Sequence, residues 1–321
     1  MAKVLDGKKL SREIEEELKV RVEEVKNKLG FTPKLATILV GDFAPSITYV
    51  KMKRKACERI GLDSVIVELP GESATIDVVE KIQELNNDPT VCGILLQHPV
   101  PRHVDEQLCF NTISMEKDVD GVNTASFGAM AMGLPAYKSA TPLGIIKLLK
   151  ANNIPLSGKN AVVVGRSAIL GKPVSILLLN ENCTVTICHS KTENLPDIIK
   201  QADIVVGAVG KPKFVQADWI KEGAVLVDAG YNANNVGDID LENCIEKCSA
   251  YTPVPGGVGP MTICSLMTQT VEAAEKLTKT MKKEDKKFGF DYSSGETVLE
   301  QMRKRVEEKN RSSNKDADPT M

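Results

Sequence analysis

A chain of 321 residues, 42% of them hydrophobic, is long enough to bury two cores, and its formal net charge of -2 spreads no cationic field for nucleic acid or an anionic membrane. Aromatic residues make up 4%, too few to build a stacking platform for single strands. These balances leave small-molecule chemistry as the default, with neither nucleic acid nor membrane as a partner.

The opening residues lack the apolar core of a secretory signal. Glu13, Glu15, Glu16 and Glu17 also set them apart from an acid-poor transit peptide. No segment reaches the length of a membrane span, so a soluble cytoplasmic protein is expected. The 8 cysteines are scattered, and Cys92, Cys183, Cys188 and Cys264 lie in apolar runs, as reduced thiols packed as small hydrophobes do. Cys244 and Cys248 stand at helical spacing, but no second cysteine or histidine pair completes a zinc set, and no metal site is expected.

Residues 8 to 29 alternate charged and apolar positions at helical spacing, and Gly30 follows as a stop signal. The runs 35–40, 64–69 and 92–96 read as buried strands, separated by helical patterns around 46–60 and 75–86. Strand and helix alternate, which predicts right-handed crossovers and a mostly parallel sheet. Tyr49 and Lys53, four apart on one helix face, can act on one substrate: the ring stacks on a flat partner, and the amine exchanges a proton once burial lowers its pKa. The competing reading is a solvated basic face, because Lys51, Arg54 and Lys55 crowd the same segment.

Gln97 stands at the exit of the 92–96 strand, where its amide can meet both a lysine amine and a substrate heteroatom. Asp120, in the loop Lys117-Asp118-Val119-Asp120-Gly121, can accept from two adjacent N–H donors of an amino-substituted ring, or it can simply stabilise a turn before glycine. Thr141 and Pro142 then start a helix to about Asn152, with Thr141 as N-cap.

A second series follows, with strands near 161–164, 184–188, 203–206 and 224–228. Val162-Val163-Val164-Gly165-Arg166-Ser167, with Gly171 and Pro173 beyond it, reads as a strand leaving through a tight turn into a helix whose free amides attract an anion. The acidic residue that usually holds a ribose 2′-hydroxyl is missing, because the next strand ends in His189-Ser190-Lys191; with Arg166 nearby, a 2′-phosphate and hence NADP is the better match. An ordinary strand-turn-helix is the alternative, since Gly165 and Gly171 do not complete the three-glycine pattern. The run from Pro253 to Thr262 holds three glycines and three prolines, which fixes an unusual backbone and allows close approach to a ligand.

The fold class expected is α/β, with two α/β lobes around a cleft and the second a Rossmann-type parallel sheet. The divisions are 1–140 for the first lobe, 141–260 for the nucleotide domain with its linker helix, 261–282 for a helix returning to the first lobe, and 283–321 for a charged tail. An amphipathic stripe at Val298, Leu299, Met302 and Val306 predicts a short helix in that tail, its last dozen residues read as disordered, and the tail is expected to be dispensable for catalysis.

Together these segments resemble the bifunctional methylenetetrahydrofolate dehydrogenase/methenyltetrahydrofolate cyclohydrolase family. The matching stretches include Leu5-Asp6-Gly7-Lys8, Tyr49-Val50-Lys51-Met52-Lys53, Gly93-Ile94-Leu95-Leu96-Gln97, the Asp120 loop, Val164-Gly165-Arg166-Ser167, Cys188-His189-Ser190-Lys191-Thr192 and 255–262. The resemblance implies oxidation of 5,10-methylenetetrahydrofolate with NADP and hydrolysis of the product to 10-formyltetrahydrofolate in one cleft of a homodimer. It implies that Lys53 is the acid/base of hydrolysis, Gln97 tunes it, Tyr49 stacks on the folate ring and Asp120 anchors the pterin. Leu96, His98, Pro255, Gly256, Gly257, Val258 and Gly259 would contact substrate, and Gly165, Arg166, Ser167, Ser190 and Tyr231 the cofactor.

The chain departs from many members in carrying Ala140 before the Thr-Pro of the linker helix and Tyr231 after Asp228-Ala229-Gly230. Some relatives prefer NAD. A shikimate- or amino-acid-dehydrogenase-like enzyme and a non-catalytic scaffold are the alternatives; Gln97 and the Pro-Gly-Gly loop fit the first poorly, and the intact Tyr49, Lys53, Gln97 and Asp120 argue against the second.

Overall fold

The computed structural model describes residues 2–288 and Lys304. Its elements in chain order are β1 (Lys3–Val4), α1 (Gly7–Leu29), β2 (Lys34–Val40), α2 (Ala44–Ile60), β3 (Asp63–Leu69), α3 (Thr75–Asn87), β4 (Val91–Leu96), α4 (Glu106–Thr112), α5 (Thr124–Ala131), α6 (Ala140–Ala151), β5 (Asn160–Val164), α7 (Gly171–Asn180), β6 (Thr184–Cys188), α8 (Leu195–Ile199), β7 (Ile204–Gly207), β8 (Val225–Asp228), α9 (Leu241–Cys244), β9 (Ala250–Tyr251) and α10 (Val258–Phe288). The helix expected at 298–306 and the disorder expected at the end of the tail lie outside the described residues.

The first lobe holds a three-stranded parallel sheet in the order β3-β2-β4. β4 is buried along its whole length and β2 from Leu35 onward, because helices cover both faces, which is why these strands read as continuous apolar runs instead of alternating ones. On one face Leu18, Val22, Ala56, Ile60 and Leu266 pack from α1, α2 and α10; on the other Val78, Ile82 and Phe110 pack from α3 and α4. Asp6 caps α1 by accepting from Lys9 N at 2.8 Å, and Gly30 closes it in the left-handed conformation.

The second lobe is a six-stranded parallel sheet in the order β1-β9-β8-β7-β5-β6. Its core lies on two sides: Ile145, Leu149, Val174 and Leu178 from α6 and α7 on one, and Ile199, Ile220, Ile239 and Cys244 on the other. The strand expected at 184–188 is present as β6, but it is an edge strand with three of its five residues exposed.

Two strands escaped the sequence reading. β1 pairs with β9 at Lys3–Ala250 and Val4–Tyr251, so the first residues of the chain, expected with the first lobe, belong to the second sheet. Two-residue strands carry no periodic signal, and only their long-range partner makes them strands. The linker helix also differs in its cap: Ser139 takes the N-cap position without capping through its side chain, which donates instead to Gly121 O at 2.9 Å, while the hydroxyl of Thr141, expected to cap, accepts from Thr262 Oγ1 at 3.0 Å and ties α6 to α10. α10 starts at Val258, inside the glycine-rich run, and continues six residues past the expected end. It packs on α1 and α6 and so spans both lobes. The cleft lies between them.

Candidate active site

Lys53 projects from the middle of α2 toward the exit of β4, where it is 9% exposed and its Nζ donates to Gln97 Oε1 at 2.9 Å. Gln97 is held at both ends, since its backbone N–H extends the sheet to Ile38 O at 2.8 Å and its amide Nε2 donates to His98 O at 2.7 Å. With the NH2 engaged, the amide oxygen must face the lysine. Burial pulls the Lys53 amine below its ordinary range, and the Asp120 carboxyl opposes that shift by favouring the ammonium form. Burial in turn raises the Asp120 carboxyl, while Lys53 and His98 pull it back. Each group's charge thus favours the ionised form of the other, against the cost of burial that both carry.

The Asp120 loop is stiffened by residues the sequence reading did not single out. Asp118, fully buried, accepts from Val122 N at 3.1 Å and Asn123 N at 3.0 Å; burial pushes its carboxyl up to about 6. Gln269 of α10 donates to Val119 O at 2.7 Å and Lys138 O at 2.8 Å, and accepts from Lys138 N at 2.8 Å. The signal for Gln269 was a polar residue on the apolar face of a long helix, which needs buried partners to be tolerated.

Tyr49, one turn before Lys53, is half-buried, and burial raises its hydroxyl above the ordinary range. Its ring meets Tyr231 from the second lobe edge-on, with centroids 6.2 Å apart and planes at 75°. Tyr231 is 60% exposed and donates to Asn235 Oδ1 at 2.9 Å. Leu96 and His98 flank Gln97, with His98 Nδ1 at 2.6 Å from Glu106 Oε1. The loop Pro255-Gly256-Gly257-Val258-Gly259 closes the same space, which totals about 1490 Å³ and reaches all of these residues from both lobes. That exceeds the roughly 300–1,000 Å³ of a common small-ligand pocket, leaving room for two flat rings side by side. The shared face of Tyr49 and Lys53 is therefore a cleft wall, while Lys51, Arg54 and Lys55 stay exposed on the rest of the helix.

Gly165, Arg166, Ser167 and Ser190 gather in a second cavity of about 290 Å³ at the carboxyl ends of β5, β6 and β7. Tyr231, grouped with them from sequence, lies instead in the larger cleft. Gly165 has φ 139°, and a Cβ there would sit 2.0 Å from Ala208 O, so only glycine lets the β5 exit pass β7. Among the described residues Arg166, His189 and Lys211 line this cavity and no carboxylate does, which is the donor set a phosphate ester requires. The cavity therefore fits the phosphorylated ribose of a dinucleotide. Lys211 was missed, although its place just past a strand that ends beside β5 is where ligand-binding residues gather in parallel sheets.

Fold and site together define a two-lobed, dinucleotide-linked enzyme in which a buried lysine faces the cleft. Residues 5–120 match the family described as tetrahydrofolate dehydrogenase/cyclohydrolase, catalytic domain, and residues 139–278 match its NAD(P)-binding domain. The chain belongs to the tetrahydrofolate dehydrogenase/cyclohydrolase family. A bifunctional protein FolD of Cellvibrio japonicus is 62% identical over 275 residues, which cover 86% of this chain and 98% of that protein. The crystal structure of the bifunctional FolD methylenetetrahydrofolate dehydrogenase/cyclohydrolase of Campylobacter jejuni superimposes with a TM-score of 0.84 at 43% identity, covering 86% of this chain and 99% of that one. The Trypanosoma brucei dehydrogenase-cyclohydrolase, complexed with NADP and an inhibitor, gives 0.82 at 33% identity, with 86% and 98% covered. The chain is thus a bifunctional folate enzyme with dehydrogenase and cyclohydrolase activities, and these matches across both lobes decide against the shikimate-type and scaffold alternatives.

Proposed function

We propose that this enzyme oxidises 5,10-methylenetetrahydrofolate to the 5,10-methenyl cation with NADP and hydrolyses that cation to 10-formyltetrahydrofolate in the same cleft. The observation that carries the reading is Lys53 Nζ, buried and bonded to Gln97 Oε1 at 2.9 Å in a cavity it shares with Asp120 and Tyr49. NADP supplies the hydride acceptor. The oxidation needs no acid or base from the protein, because the nitrogen lone pair expels the hydride; what the residues contribute is alignment of the rings, through Tyr49, Tyr231 and the Pro255 to Gly259 loop.

Hydrolysis does need a proton carrier. As water adds to the methenyl carbon, neutral Lys53 takes one proton from it to leave a neutral carbinol; the lysine then returns that proton to one nitrogen as its bond to the carbon breaks, and the carbinol oxygen releases its remaining proton to solvent, which leaves a formyl group on the other nitrogen. Gln97 holds the amine in line, and Asp120 accepts from the amino-substituted end of the pterin. His98 and Leu96 bound the ring, while Arg166 and Ser190 take the 2′-phosphate, with Gly165 and Ser167 on the adjoining backbone.

We further propose a homodimer formed through the nucleotide lobe, where Ile187 of the edge strand β6 is 40% exposed and Leu179 of α7 is 54% exposed. A cytoplasmic location agrees with 8 free, buried cysteines. Among the described residues no helix is long and apolar enough to cross a membrane. The test is to supply 5,10-methylenetetrahydrofolate with NADP or NAD and to follow NADPH or NADH formation together with the rise and decay of the methenyl product. Hydride transfer that favours NAD, or a methenyl product that persists as long as in buffer, refutes the corresponding half. Sedimentation as a monomer refutes the dimer.

A further inference from the structure

At the edge of the cleft, and tied to the wall of the smaller cavity, lies a pair of buried carboxyl groups that the chemistry above does not use. Asp238 is fully buried, and its Oδ2 accepts from Val209 N at 2.6 Å and Gly210 N at 2.8 Å; its Oδ1 accepts from Lys211 N at 3.0 Å and Asn232 Nδ2 at 3.0 Å. Three consecutive backbone amides thus converge on one side chain, a concave arrangement that backbone otherwise offers to a bound anion. Asp228 anchors the other end of the unit by accepting from Asp238 N at 2.9 Å, Ile239 N at 2.8 Å and Gly230 N at 2.9 Å. The fit leaves no slack. A Cβ on Gly237 would lie 2.0 Å from Asp228 Oδ2, and one on Gly230 would lie 2.2 Å from Asp238 Oδ1.

The segments so joined have separate duties. Val209 and Lys211 form a wall of the smaller cavity, with the Lys211 amine lodged 5.6 Å from the Phe214 ring centre, whereas Gly230 and Tyr231 form a wall of the cleft. Ala208, next to the tethered amides, is the residue whose carbonyl lies against Gly165. We infer that Asp238 is a positioning residue for the cofactor: by gathering the amides of Val209, Gly210 and Lys211 it fixes the wall facing Gly165 and Arg166 and presents the Lys211 amine as a further cation for the phosphorylated end of the dinucleotide. The inference rests on the proposed NADP site and adds to it the residue that shapes it.

The test is calorimetric titration of the full chain with NADP and NAD in Asp238→Asn, Lys211→Met and Arg166→Met. Asparagine keeps the shape but offers a single acceptor oxygen, so its amide nitrogen must face two of the four donors. NADP affinity falls at least tenfold in Asp238→Asn, while hydrolysis of the methenyl substrate without cofactor loses less than threefold. Affinity within twofold of wild type in the folded variant overturns the inference, and so does hydrolysis that declines in step with binding, the mark of a general structural defect. If Asp238→Asn does not fold by far-UV circular dichroism, Lys211→Met decides: a loss of NADP affinity of at least fivefold, larger than that for NAD, supports the inference, and unchanged NADP affinity overturns it. Arg166→Met separates the two levels. NADP binding untouched in that variant removes the cofactor site itself, whereas a loss there with none in Asp238→Asn removes only the positioning role.

Discussion

Replacing Lys53 with methionine isolates the proton chemistry from the binding surface. The thioether follows nearly the same path as the lysine stem, so the 9% exposed site stays filled and only Nζ is lost. Gln97 Oε1 then has no donor at 2.9 Å, a cost of about 1–3 kcal/mol, but the penalty of holding an amine out of water disappears as well, so the melting temperature stays near that of wild type. Positioned acid–base catalysis is worth roughly 10²–10⁴-fold, or about 3–5 kcal/mol of barrier, and the cyclohydrolase falls by that factor. The dehydrogenase, which draws on alignment alone, stays within about tenfold. Both are read from one absorbance experiment, with methenyl decay for hydrolysis and reduced cofactor for hydride transfer. A folded Lys53→Met enzyme that hydrolyses within threefold of wild type refutes the reasoning, because no other group in the cleft was assigned that proton.

Other perturbations test neighbouring parts of the argument. With neutral Lys53 as the proposed base, hydrolysis rises with pH through the lysine pKa; Asp120 raises that pKa, and Asp120→Asn moves the rising limb of the kcat/KM profile to lower pH, an unmoved limb contradicting the coupling. Gly165→Ala drives a Cβ to 2.0 Å from Ala208 O at φ 139°, and it lowers unfolding free energy by about 1–3 kcal/mol or more and NADP affinity at least tenfold; wild-type values in denaturant titration and calorimetry would refute the close approach. The Asp118 carboxyl, raised by burial from 3.8 to about 6, binds its proton more tightly folded than unfolded, so its contribution is complete below pH 3.8 and is lost as pH rises through 6. The stability of wild type relative to Asp118→Asn therefore declines by up to about 3 kcal/mol between pH 4 and 7, and a constant difference would show that the carboxyl is not shifted.

The sequence by itself determined the two α/β series, because strands covered on both faces must be continuously apolar and helices with one buried face must repeat every three or four residues, as β2, β4 and α1 do. It also determined which groups could carry chemistry: Tyr49 and Lys53 share a helix face by geometry alone, and Gly165 with Arg166 forms a tight strand exit of the kind that can receive a phosphate. Only the tertiary structure decided which of these meet. Lys53 reaches Gln97 across 44 residues, Gln269 of α10 clamps the Asp120 loop across 150, and Asp238 gathers amides 27 to 29 residues before it. Tyr231 went to the cleft and Lys211 to the wall of the smaller cavity for the same reason. Local pattern records what a residue must be to sit in its own element, whereas burial, shared protons and the space around a ligand arise between elements, and no window of sequence contains both sides of such a contact.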